Sequence, residues 1–243
     1  MTKATKLPKS IEKCPIIDAL IEIRFDTDIN PNAVFGLFYG ALMKDYSGRV
    51  ENLPILQVPE AVRASDPSLR YKPLYRIISE DVFIQIGPEV LSISSRIPYK
   101  GWDCFQSHVV KIIDLIKTAG VIKKVSRIGH RYINFFELNI LDKITMKFKM
   151  TEGYDFQNIQ ISTQVSDNGF NNTVMFSNSA IMNVNTPDKK EGSIIDIDTF
   201  KEYENNHFLE NVSVEIENAH KTEKTLFFSL LNEDFIDSLN PQY

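Results

Sequence analysis

The sequence predicts an α+β protein, a mainly antiparallel sheet with helices packed on one face, arranged as two β-α-β-rich halves. Three observations carry this. Apolar and intervening residues alternate with period 2 in short segments, as where Ile17, Ala19, Ile21, Ile23 and Phe25 interleave with Asp18, Leu20, Glu22 and Arg24. Residues 101–119 and 208–231 instead repeat their apolar positions at helical spacing. Short turn signals, Gly87-Pro88 and Asn168-Gly169, separate consecutive strand-like segments and favour hairpins.

Residues 1–13 are polar and Lys-rich and read as a flexible arm. The first half, residues 14–121, opens with the alternating strand at 15–25. Asn30-Pro31 then starts a helix: Asn is a good cap, and Pro at the first helical position loses no useful donor. Val34, Phe38, Ala41 and Leu42 give that helix its buried stripe. Residues 50–58 read as a short strand and 64–73, with two prolines, as a loop. Residues 74–86 and 89–97 read as two strands of a hairpin. A helix over 101–119 buries Trp102, Phe105, Val109, Ile112, Ile113 and Ile116, and Gly120 stands where a helix C-terminus favours a left-handed residue. The half thus reads β-α-β-β-β-α.

The second half, residues 122–243, starts with one long strand or a bent pair of strands over 122–138. Strands follow at 143–150, 157–166, 172–182 and 193–200, separated by Gly153, Asn168-Gly169 and a loop at 183–192. A helix over 208–231, lined by Val212, Ile216, Ala219, Leu226 and Leu230, precedes a short helical turn after Asn232. The two halves are expected to form one compact unit.

A chain of 243 residues that is 43% hydrophobic can bury a core without a metal or disulfide staple. Its net charge of −5 disfavours sequence-independent nucleic-acid binding, which needs a positive surface. Cys14 and Cys104 show no metal spacing and make no disulfide framework. No apolar signal segment opens the chain and no run of 18 apolar residues occurs, so no membrane partner is expected and the cytoplasm is the expected location.

The chain lacks a glycine-rich phosphate loop, G-x-S-x-G, H-E-x-x-H and C-x-x-C. Neither a cofactor nor a metal is therefore expected, and a non-catalytic role is favoured over an enzyme. Asp26-x-Asp28-x-Asn30 starts like a calcium loop but fails at Pro31 and Leu37, and reads as a turn ahead of a helix cap. His108, His130, His207 and His220 are scattered, with no i,i+4 pair, and His220 reads as a core histidine. Asp196 and Asp198 share one strand face, which is only a weak cation signal.

The most informative segment is Ser126-Arg127-Ile128-Gly129-His130-Arg131-Tyr132-Ile133-Asn134. As a strand it places Arg127, Gly129 and Arg131 on one face and His130, Tyr132 and Asn134 on the other. Glu22 and Arg24 raise the same question in the first strand. Two explanations compete. In one, Arg24, Arg127 and Arg131, with Tyr132, line a pocket for a small anionic ligand. In the other, which is favoured, Glu22 pairs with Arg127 or Arg131 across the sheet and fixes register.

These segments, Pro15-Ile16-Ile17-Asp18-Ala19, Ile23-Arg24-Phe25, Pro98-Tyr99-Lys100-Gly101-Trp102, the arginine-tyrosine-asparagine block and Ile195-Asp196-Ile197-Asp198, together with the His220-containing helix, resemble a sporadically distributed, conserved-hypothetical family of bacteria and archaea. The resemblance spans nearly the whole chain. It departs from the family pattern at Asp18, where Glu is usual, and at His130, where an apolar residue is usual. It implies no particular reaction. The patchy distribution implies an accessory protein of a phage-defence or toxin–antitoxin locus. The expectation is a binding or regulatory module with a protein partner; the alternative is a small-anion binder or enzyme built on the arginines.

Overall fold

The computed structural model describes residues 7–149, 151–152, 157–183, 189–205 and 207–243. In chain order the elements are β1 (Ser10–Ile11), β2 (Ile16–Asp26), α1 (Pro31–Leu42), β3 (Arg49–Asn52), a 3-10 turn (Pro54–Gln57), α2 (Glu60–Ser65), β4 (Tyr75–Ile78), β5 (Val82–Ile86), β6 (Val90–Ser95) and α3 (Trp102–Lys117). They continue with β7 (Lys124–Phe136), β8 (Gln160–Asp167), β9 (Phe170–Asn183), β10 (Lys189–Glu202), α4 (His207–Glu210), α5 (Val212–Ser229), α6 (Glu233–Ser238) and β11 (Pro241–Gln242). The fold is α+β with a mainly antiparallel sheet. Among the described residues nine strands are hydrogen-bonded in the order β3-β4-β5-β6-β2-β7-β10-β9-β8, and β1 pairs with β11. Among the described residues no helix is long and apolar enough to cross a membrane.

The chain divides into two compact units, each assembled from separated segments. One comprises Asp18–His130 and Phe200–Asn218, the other Met1–Ile17, Arg131–Thr199 and Ala219–Tyr243. This division differs from a boundary at residue 121, because β7, β10 and α5 each contribute residues to both units.

In the first unit the alternation of β2 buries Ala19, Ile21, Ile23 and Phe25, and Ile21 and Ile23 face Ile93 and Leu91 of β6. Asn30 caps α1 by accepting the Asn32 N–H at 2.9 Å, and Phe38 of that helix meets Phe25 edge-on at 5.6 Å. Helix α3 buries Phe105, Val109, Ile112, Ile113 and Ile116, and Gly120 beyond it takes φ +63°. Residues 74–86, expected as one strand, form two. Ser79-Glu80-Asp81 turns the chain between β4 and β5, with the Ser79 N–H donating to the Val82 carbonyl at 3.0 Å. No Gly or Pro marks this turn, and both flanks are rich in β-formers, which hides it in the sequence. The strand expected at 50–58 stops at Asn52, where Pro54 opens the 3-10 turn, and α2 occupies 60–65, just ahead of and overlapping the expected loop.

In the second unit Phe136, Ile140, Ile159, Val174, Phe176, Ile195, Ile197 and Phe235 belong to one buried core. Asn168 and Gly169 both take positive φ, +50° and +77°, as a two-residue turn of right-handed twist requires, and so set the β8–β9 register of Asp167 opposite Phe170. Three expectations change here. Residues 7–13 are not a loose arm: β1 pairs with β11, and Lys9 N–H donates to the Gln242 carbonyl at 2.6 Å; residues 1–6 lie outside the described residues. Residues 143–149 hold no strand, only an Ile144–Leu231 bridge; Met146 and Phe148 pack on the core, so the alternation is real but its partner is the end of a helix. Residue 150, Gly153 and residues 184–188 of the expected loop are outside the described residues. The final helix also differs: it breaks at Asn211, within the first unit's Phe200–Asn218 segment, into α4 and α5, and the Asn211 side chain donates to the His207 carbonyl at 3.0 Å.

Candidate functional site

The six residues singled out in sequence are held as follows. In the first unit, Glu22 Oε1 accepts from Arg24 Nε at 2.7 Å and from Arg127 NH1 at 3.1 Å. Arg127 also lies over the Phe200 ring at 4.5 Å, and Arg24 over Tyr71 at 4.6 Å. In the second unit, Arg131 forms a fork with Asp196, Nε to Oδ1 at 2.8 Å and NH2 to Oδ2 at 2.5 Å. Tyr132 Oη stands 3.4 Å from His220 Nδ1, both buried, and Asn134 Nδ2 donates to the Ile195 carbonyl at 3.3 Å. Each arginine thus faces a carboxylate of its own unit. Glu22 takes Arg127, and Arg131 takes Asp196, one of the two carboxylates on the Asp196/Asp198 strand face. The Asp26–Asn30 segment behaves as a turn: Lys123 Nζ donates to Asp28 Oδ2 at 2.8 Å, and Asn30 caps α1.

His130, fully buried, meets the Trp102 ring edge-on at 5.3 Å. Burial pushes its pKa down to about 3, so it packs as a neutral ring. Trp102 in turn donates its Nε1–H to Glu217 Oε2 at 2.8 Å.

A separate arrangement arises from the turn that the sequence concealed. Asp81, at the β4–β5 turn, faces the first turns of α3, and the space between them is a cleft of about 250 Å³ lined by Asp81, Ser95, Arg96, Lys100, Cys104 and His108 among others. Cys104 and His108 are four residues apart on α3, which puts both side chains on one face. Asp81 Oδ2 is 3.5 Å from His108 Nε2, and His108 Nδ1 is 3.1 Å from Tyr46 Oη. The Lys100 ammonium is paired with Asp81 Oδ1 and, by that hydrogen bond, holds the Asp81 carboxyl below its usual range. Desolvation, with the Asp45 charge nearby, pushes the Tyr46 phenol up to about 12, so it stays neutral. One donor atom from each of Asp81, Cys104 and His108 lies within 4.8 Å of the others. Sulfur, imidazole nitrogen and carboxylate oxygen therefore converge on one point at the wall of a cleft.

Half of this cluster is legible: Cys104-x-x-x-His108 lies inside a helix that the apolar pattern identifies, although neither a cysteine pair nor a histidine pair marks it. Asp81 had no signal, because the turn that presents it lay inside an apparent strand.

No protein-family model matches the chain, and no curated protein matches it in sequence.

Proposed function

We propose that the chain is a non-catalytic protein-binding module that receives an extended segment of a partner protein along β8. One observation carries the reading. β8 ends the strand order, runs for eight residues, and is exposed at every position except the half-buried Ile161. Gln160, Ser162, Thr163, Gln164 and Ser166 are uncharged, and Asp167 at the far end is its single charge. Long edge strands without lysine, proline or a bulge are templates for another strand.

The register says which groups face outward. The two-residue turn makes Asp167 and Phe170 a hydrogen-bonded pair, so Val165, Thr163 and Ile161 bond toward β9. Ser166, Gln164 and Ser162 then direct their N–H and C=O groups away from it. The second reading, an anion pocket on Arg24, Arg127 and Arg131, draws no support from arginines that each face a carboxylate. A partner encoded beside this chain in a defence or toxin–antitoxin locus is the setting implied by the family resemblance.

The test is capture of proteins from the native host by tagged wild-type chain and by Gln164→Pro. The substitution removes one outward N–H and leaves the ladder bonds to β9 in place. The expected result is a stoichiometric partner whose retention falls at least tenfold with Gln164→Pro, at unchanged melting temperature. Equal retention by the two chains contradicts the reading.

A further inference from the structure

We propose that Asp81, Cys104 and His108 form a binding site for a divalent transition metal of borderline softness, zinc above all, with a fourth coordination position open to the cleft. The inference is independent of the β8 reading and stands on the geometry around α3.

The donor set fits. A thiolate, an imidazole and a carboxylate are ordinary zinc ligands, and three of them with an open fourth position is the composition of a site that keeps water or an exogenous ligand. Carboxylate and thiolate together carry two negative charges and offset the charge of the ion. As the sulfur–metal bond forms, the Cys104 thiol releases its proton to solvent. No electron is transferred.

The supporting groups also fit. His108 offers Nε2 toward Asp81, and its Nδ1 is held by Tyr46 Oη at 3.1 Å. With Nδ1–H donating to the neutral phenol, Nε2 is left as the lone-pair nitrogen that a metal needs, the usual role of a partner behind a metal-bound histidine. Cys104 and His108 are fixed by α3, whose adjoining face is buried through Phe105, Val109, Ile112 and Ile116. In a tetrahedral site, neighbouring donors stand about 3.4–3.8 Å apart. The three donors, already within 4.8 Å of one another, need to close by about 1.4 Å at most. The Asp81 turn is the element that moves.

Lys100 is the competitor. Its ammonium pairs with Asp81 Oδ1, but its side chain is 57% exposed and can swing into solvent when a cation takes the carboxylate. This gives the proposal a signature that a merely structural cluster lacks: removing a positive charge from the cleft tightens metal binding.

The experiment is titration of the chelator-treated full-length chain with Co²⁺, followed by the thiolate-to-cobalt charge-transfer band in the near ultraviolet and the visible bands of four-coordinate cobalt. The expected result is saturation at a single cobalt per chain and bleaching by stoichiometric Zn²⁺. Cys104→Ser should abolish the charge-transfer band, and Cys14→Ser should leave it intact. Tyr46→Phe should weaken cobalt binding about tenfold, and Lys100→Met should tighten it. Should Cys104→Ser unfold by circular dichroism, the Lys100→Met shift decides: tighter binding supports the site and unchanged affinity overturns it. Absence of the band at millimolar Co²⁺, or a band lost with Cys14→Ser, also overturns it.

Discussion

The two units finish their strands in opposite ways. In the first, the terminal strand β3 has four residues and carries Arg49 and Glu51, which pair with each other at 3.1 Å. A short, charged edge resists pairing with another chain. In the second, the terminal strand β8 has eight residues and a single charge at its end. The contrast continues inside. The first unit gathers two arginines on one carboxylate, with the Arg127 side chain only 12% exposed, whereas the second has one bidentate pair in which Arg131 is 41% exposed. The first unit is thus closed on itself at its edge and in its charges. The second, among the described residues, ends on a longer edge with little charge, the edge on which the proposed binding role rests.

The largest expected effect sharpens the charge comparison. Glu22→Ala removes the carboxylate that Arg24 and the well-covered Arg127 share and should cost about 3 kcal/mol in chemical denaturation. Asp196→Ala removes the carboxylate that the more exposed Arg131 forks and should cost about 1–2 kcal/mol. Equal losses, or the reverse order, break the comparison.

A smaller effect separates the units by pH. His130, in the first unit, is held neutral by burial, while the unfolded chain protonates it below the ordinary histidine value of about 6.5. Stability from this site is therefore full well above 6.5 and falls as pH drops, by up to about 1.4 kcal/mol per pH unit. Glu223, in the second unit, is buried, with Oε1 lacking a hydrogen-bond partner among the described residues, and burial raises its pKa well above 4.5. Its folded state keeps a proton that the unfolded chain releases, so its contribution falls as pH rises above 4.5. Urea denaturation between pH 4.5 and 8.5 should show His130→Leu flattening the acid side of the profile and Glu223→Gln the alkaline side. A His130 imidazole resonance that titrates near 6.5 in the folded protein contradicts the first half of this expectation.

Local chemistry made much of the fold legible. The alternation of β2, the Asn30-Pro31 start of α1, the apolar stripe of α3 and the Asn168-Gly169 turn each follow from residues within one element. What escaped depends on distant residues. Ser10 and Ile11 become a strand only because Pro241 and Gln242 reach them, and Ile144 is tied to Leu231. The same division holds at the sites. That Glu22 faces an arginine of β7 is consistent with two alternating strands, but which arginine it takes, Arg127 or Arg131, is not legible in the sequence. The choice of Asp196 for Arg131, and the approach of Asp81 to Cys104 and His108, required a register and a turn that carried no glycine or proline.

Amide hydrogen exchange along β8 tests the binding role most directly. In the free chain, the inward N–H groups of Thr163, Val165 and Asp167 should be protected, while those of Ser162, Gln164 and Ser166 exchange rapidly. Adding the captured partner should protect the second set and leave the first unchanged. If Ser162, Gln164 and Ser166 still exchange rapidly with the partner bound, no strand has been added at β8 and the proposed role is wrong.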